Sequence, residues 1–307
     1  MTWTAEKKKI KNVIKASQDQ DGAIDNYYRQ ALVLISGHLN TFFNEYAVDN
    51  QLTLKQTEQA VSQADLVEWQ SIIGSFVQGT DDTELAKRLR YLAAQAGINR
   101  RNLINSLVGG LVAGATAKVI ASSNKKIHND YKAGYQFRMR KHPEMNNQTN
   151  NVPKYDIESP MWTHSDNMTN NMQNDINNNL KRGMDKAALR HLTKLKGINT
   201  IRESDNLASD ANKVITQVQR LIRTVSYTMT SKGSIQAITD SDKMSDEDTW
   251  IGMQTQPNVC DICLGIAGQQ PWVLGEQPNL GPKELGGDTH WNCACQLIEV
   301  DHNGNPI

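Results

Sequence analysis

The chain has 307 residues, 33 basic and 33 acidic side chains, and a mean hydropathy of -0.58. The balanced charge argues against a binder that relies on global basic excess, and 6% aromatic residues in a hydrophilic sequence point to a surface-rich helical protein rather than a dense enzyme core. The length calls for two or three units. The lysines at 7, 8, 9 and 11 are followed by no continuous apolar run of a signal peptide, so synthesis in the cytoplasm is expected.

Residues 1–22 read as a polar, basic lead-in with Trp3 as its large aromatic anchor. From Ile24 to Val48, Tyr28, Leu32, Leu34, Ile35, Leu39, Phe42, Phe43 and Tyr46 recur near a 3.6-residue period, which predicts a helix. Thr53-Leu54-Lys55-Gln56 has the spacing of a capping box. A further helix is predicted over 65–76, and another over 84–96, capped by Thr80 or Asp81 and ended by Gly97.

A long helix, straight or bent, is predicted over 100–140. Its segment 103–122 is the most apolar of the chain and holds Gly110 and Gly114 at small-xxx-small spacing. Asn105, Ser106 and Lys118 interrupt it, so the expectation is close helix packing, within the chain or by self-association, and not membrane insertion. The same region carries Arg100, Arg101, Lys118, Lys125, Lys126, Lys132, Arg138, Arg140 and Lys141 against Asp130 alone. With Tyr131, Tyr135 and Phe137 interleaved, these nine cations are a candidate nucleic-acid face, or else the solvated side of a long helix.

Pro143, Pro153, Pro160 and the Asn-rich run 146–151 predict a polar linker over 143–160. Helices are predicted over 165–184, 186–196 and 206–231, with Arg190-His191 as a surface pair. Residues 241–248 read as a solvated acidic loop, because Asp240, Asp242, Asp246, Glu247 and Asp248 lack the spacing of a calcium loop. Short strands are predicted at 249–254, 273–274 and 296–300. The expected chain is mainly α: an N-terminal helical region 1–142, the linker, a second helical region 161–240 and a small α+β module 241–307 that ends an elongated helical body.

All four cysteines fall in that module, as Cys260-Asp261-Ile262-Cys263, twenty-six residues, then His290-Trp291-Asn292-Cys293-Ala294-Cys295. A Cys-x-x-Cys turn lets two thiolates converge on one ion, and Cys293 and Cys295 face the same way if extended. Five donors compete for the four positions of a tetrahedral zinc site. Cys260 and Cys263 are joined either by His290 and one of Cys293 or Cys295, or by both cysteines without His290. Two disulfides, or four unpaired buried thiols, are the alternatives. The surplus of ligands favours a closed, structural zinc over a catalytic one, which keeps a position open for water. A deaminase needs His-x-Glu ahead of Pro-Cys-x-x-Cys. His142-Pro143-Glu144 lies far away in the linker, and Pro257 is not adjacent to Cys260. A zinc-knuckle nuclease needs more His, Asn and acidic groups than His290 and His302 supply. The chain therefore reads as a non-enzyme, with a nucleic-acid-binding protein as the runner-up to a structural one.

Several of these segments together resemble the minor head, or head-morphogenesis, proteins of tailed bacteriophages, related to the Mu F-like group. The resemblance rests on Trp162-x-His164-Ser165-Asp166 before a polar helix, on Arg220-Leu221-Ile222-Arg223-Thr224, and on Trp250 followed by Val259-Cys260-x-x-Cys263 and His290-x-x-Cys293-x-Cys295. Leu264 to Gln269 is similar to the family's turn after the second cysteine. The likeness covers about 161–300. Val225 stands where the family often has Glu, Trp291 where it has Pro and Ala294 where it has Arg. The resemblance implies a virion component made in the host bacterial cytoplasm, placed at the portal vertex or head interior. Its implied partners are the portal, other head proteins and the packaged viral DNA.

Overall fold

The computed structural model describes residues 3–140, 152–195, 206–242 and 249–307. Among them are nine α-helices, five short strands and one 3-10 turn, so the chain is mainly α with small sheets. Helix α1 (Trp3–Tyr46) takes in the expected lead-in. Glu6, Lys9, Ile10 and Ser17 lie on its buried stripe. Three of those four are polar, so a count of apolar periodicity passes over them.

Strand β1 (Gln51–Leu52) leads to α2 (Leu54–Thr57), which the Thr53–Gln56 capping box opens. Helix α3 (Gln63–Val77) is capped by Ser62, whose Oγ accepts the Asp65 N–H at 3.1 Å. The cap of α4 (Thr83–Ala96) is Asp82, not Thr80 or Asp81: its carboxylate accepts the Leu85 N–H at 2.8 Å. Helix α5 spans Arg100–Met139.

Residues 143–151 of the expected linker lie outside the described residues. Residues 152–157 have no regular structure, and α6 (Glu158–Arg182) begins before the expected boundary. Pro160 fits there because the first turn of a helix needs no N–H from it. Strand β2 (Met184–Asp185) pairs antiparallel with β1 and precedes α7 (Lys186–Leu192). Helix α8 (Leu207–Asp242) runs on past Ser231. The acidic loop falls largely on 243–248, outside the described residues, but Asp240 is placed, accepting the Tyr135 hydroxyl at 3.0 Å.

Contacts group the chain into two compact units. One comprises Met1–Gly22, Ser122–Ile157 and Gln219–Ile307; the other comprises Ala23–Ala121 and Glu158–Val218. The boundaries fall inside or at the ends of long helices, whereas a linear division places them at polar segments.

In the second unit α5 is the core helix. By length and composition it is apolar enough to cross a membrane, but 89% of its most apolar window is buried inside the protein. The glycine spacing serves packing within the chain. A Cβ on Gly110 would come within 2.6 Å of Ile73 Cδ1, and one on Gly114 within 2.8 Å of Val77 Cγ1, both on α3. Trp162 of α6 lies against Arg88 of α4, whose guanidinium sits 4.6 Å from the ring centroid and pairs with Asp166.

In the first unit α5 and α8 meet at a second glycine pair. A Cβ on Gly134 would lie 2.0 Å from the Thr230 carbonyl oxygen, and one on Gly233 would lie 2.1 Å from that of Tyr131. Beside it, Arg138 pairs with Glu6 and donates to the Leu297 carbonyl at 3.4 Å, while Lys9 donates to Ser234 Oγ at 2.6 Å. Burial, with Arg138 as the next cause, lowers the Lys9 pKa to about 7. The C-terminal sheet, in the order β4 (Trp272–Val273), β3 (Trp250–Gln254), β5 (Gln296–Val300), is antiparallel and shares its apolar core with Ile238 of α8.

Candidate metal centre

The register of β3 and β5 brings the cysteines together. Gln254 pairs with Gln296, so the chain leaving β3 toward Cys260 and the chain entering β5 from Cys295 share one end of the sheet. Pro257 and Asn258 turn the first of these into α9 (Asp261–Ala267), with Cys260 as its N-cap and Cys263 inside its first turn. The second is set by a turn in which the Cys293 N–H donates to the His290 carbonyl at 3.3 Å and Asn292 adopts φ 62°. Asn tolerates that left-handed conformation better than most side chains.

The five donors form two triads that share Cys263. The donor atoms of Cys260, Cys263 and His290 lie within 4.8 Å of one another, as do those of Cys263, Cys293 and Cys295. Cys263 Sγ is 3.2 Å from His290 Nε2 and 3.5 Å from Cys293 Sγ. All four cysteines are unlinked. A tetrahedral site with sulfur at about 2.3 Å from the ion places its ligands about 3.8 Å apart, close to these separations. Cys263, Cys293 and Cys295 are buried, and Cys260 and His290 are partly exposed.

The surroundings orient the donors. His290 Nδ1–H donates to the Trp291 carbonyl at 2.7 Å, which leaves the Nε2 lone pair facing Cys263. The Gln256 N–H donates to Cys295 Sγ at 3.4 Å, and the Gln256 side chain accepts the Ala294 N–H at 2.9 Å. Hydrogen bonds from Cys263 and then Cys295 pull the Cys293 pKa well below that of a free thiol, and the bond to Cys293 pushes Cys263 far above it. The cluster can therefore hold a metal ion, which would take up the charge of further thiolates.

Helix α8 holds this turn from behind. Thr224 Oγ1 accepts the Asn292 N–H at 2.8 Å while donating to the Arg220 carbonyl at 2.8 Å, and the Arg220 guanidinium lies 5.5 Å from the Trp291 ring centroid. Arg223 pairs with Asp21 of α1. Thr224 and Gln256 support the cluster without belonging to any metal-ligand spacing. Thr224 was visible only as the last member of the Arg-Leu-x-Arg-Thr motif, and Gln256 had no signal.

Eight of the nine basic residues lie among the described residues, divided between the two units. Arg100, Arg101 and Lys118 belong to the second unit, and Lys125, Lys126, Lys132, Arg138 and Arg140 to the first; Lys141 lies outside the described residues. Arg100 stacks 3.7 Å from the Tyr46 ring centroid, and Lys118 lies 4.2 Å from that of Phe76. Lys126 is bound to Asp130 at 2.6 Å and to Ser226 at 2.8 Å, and Arg138 is 3% exposed in its pair with Glu6. Lys125 and Arg140 are exposed, and Arg101 and Lys132 are half-buried.

No family model, curated protein or solved structure matches the chain.

Proposed function

We propose that this chain is a structural minor head protein of a tailed bacteriophage, and that its Cys/His cluster holds a structural zinc ion. Thiolates with an imidazole suit zinc, and so few strands bury too little apolar surface to fold without a staple. The single observation that carries the reading is the Thr224–Asn292 hydrogen bond, because it joins two of the stretches that resemble the family into one device. In this reading the helices dock on the portal ring and other head proteins at the portal vertex. The protein is made in the host cytoplasm, enters the virion and performs no catalytic step.

The test is co-expression with the portal protein encoded in the same genome. The expected result is co-purification as a defined portal complex, one zinc per chain by elemental analysis, and recovery of the chain from purified particles by mass spectrometry. A chain absent from particles and unable to bind portal overturns the assembly role. A purified protein free of metal overturns the zinc assignment.

A further inference from the structure

A basic surface on α1 lies beside the candidate metal centre. Lys11, Lys15 and Gln18 of α1 form one wall of a notch of about 430 Å³, and Gln256, Asn258 and Asn292 of the loops around the cysteines form the opposite wall. The two lysines are exposed and one helical turn apart, about 6 Å along the axis. No carboxylate lines the notch, and among the described residues neither lysine has an ion-pair partner. Lys8, also exposed, extends the same face by a turn.

We propose that this notch binds the phosphodiester backbone of a nucleic acid. The lysines on α1 supply the charge that displaces counterions from phosphates. The facing carboxamides can donate to phosphate oxygens and can pair with base edges through either group. Asn292 Oδ1 is buried with no partner among the described residues, and as an acceptor it is completed by a base N–H and not by a phosphate oxygen. The carboxamides, which can pair with base edges as well as with phosphates, favour a nucleic acid over an acidic peptide. The inference assigns a site to the DNA partner that the head-protein reading implies, and its failure is distinguishable from that of the reading because DNA binding and portal binding are measured separately.

The test is fluorescence anisotropy of the full chain, as purified with its metal, against a labelled DNA oligonucleotide over a range of salt concentrations. The double variant Lys11→Gln/Lys15→Gln is compared with Arg101→Gln/Lys125→Gln. The first is expected to lower the slope of log affinity against log salt by about 1.4–1.8, two phosphate contacts' worth, and the second to leave it unchanged. A second readout needs no variant: bound DNA should protect Lys11 and Lys15 of the wild type from acylation. Absence of binding at low salt, an unchanged slope in the first variant, unprotected lysines, or equal competition by polyglutamate each overturns the proposal.

Discussion

Thr224 shows how much a single hydroxyl carries at the candidate site. It accepts from the backbone of the turn between His290 and Cys293 and donates to its own helix, with both bonds at 2.8 Å. Replacing it with Val keeps the shape and leaves the Asn292 N–H without its acceptor. Thr224→Val is expected to cost about 1–2 kcal/mol in urea unfolding. It should also weaken metal retention about tenfold in competition with a chromogenic chelator, as loss of an orienting group around a metal site does. Thr224→Ser should restore both. Unchanged chelator competition in Thr224→Val would remove Thr224 from the site. The motif that contains Thr224 was legible in the sequence, but its partner was not, because the bond spans sixty-eight positions. The cysteine spacing was legible for the opposite reason: metal geometry restricts ligands to short intervals, so their pattern survives without the fold.

At the scale of elements, apolar periodicity located most helices. It failed where burial is achieved by polar groups. The first turns of α1 pack Glu6, Lys9 and Ser17 inward, where Glu6 pairs with Arg138 and Lys9 donates to Ser234. Gly110 and Gly114 were readable as a packing motif because they lie in an apolar segment; Gly134 and Gly233, in polar surroundings, were not. Yet the latter pair brings α5 and α8 closest. A methyl at either position meets a backbone carbonyl, which cannot rotate away. Gly134→Ala is therefore expected to destabilise by about 3 kcal/mol, read as a lower urea midpoint. In α1, Gly22 and Gly37 have nothing within 4 Å of an added Cβ, and alanine there is expected to stabilise by about 0.5–1 kcal/mol. A destabilised Gly37→Ala together with a neutral Gly134→Ala would contradict this packing.

For the whole molecule, the cysteine region is not a separate appendage. It shares its core with Ile238, is hydrogen-bonded to α8 through Thr224 and Ser231, and is tied to α1 and α5 through the Glu6–Arg138 pair and the Leu297 carbonyl. Removing the metal with a chelator is expected to raise amide hydrogen exchange throughout 250–300 and along the part of α8 that faces it. Helices α3, α4 and α6, in the other unit, should keep their protection. Protection that does not change on chelation would mean the cluster folds without an ion. By itself the sequence determined the helical class, the C-terminal strands to within a residue and the five candidate ligands, because these depend on local period and short-range spacing. Only the tertiary structure decided that Lys126 and Arg138 are internally paired, that α8 braces the turn of the candidate metal site, and that Lys11 and Lys15 border an open notch beside it. Each of those depends on which distant side chains meet, and that is fixed by how the helices pack. For the Cys260–Cys295 cluster, local spacing named the donors, and the β3–β5 register with Thr224 behind it brought them to one place.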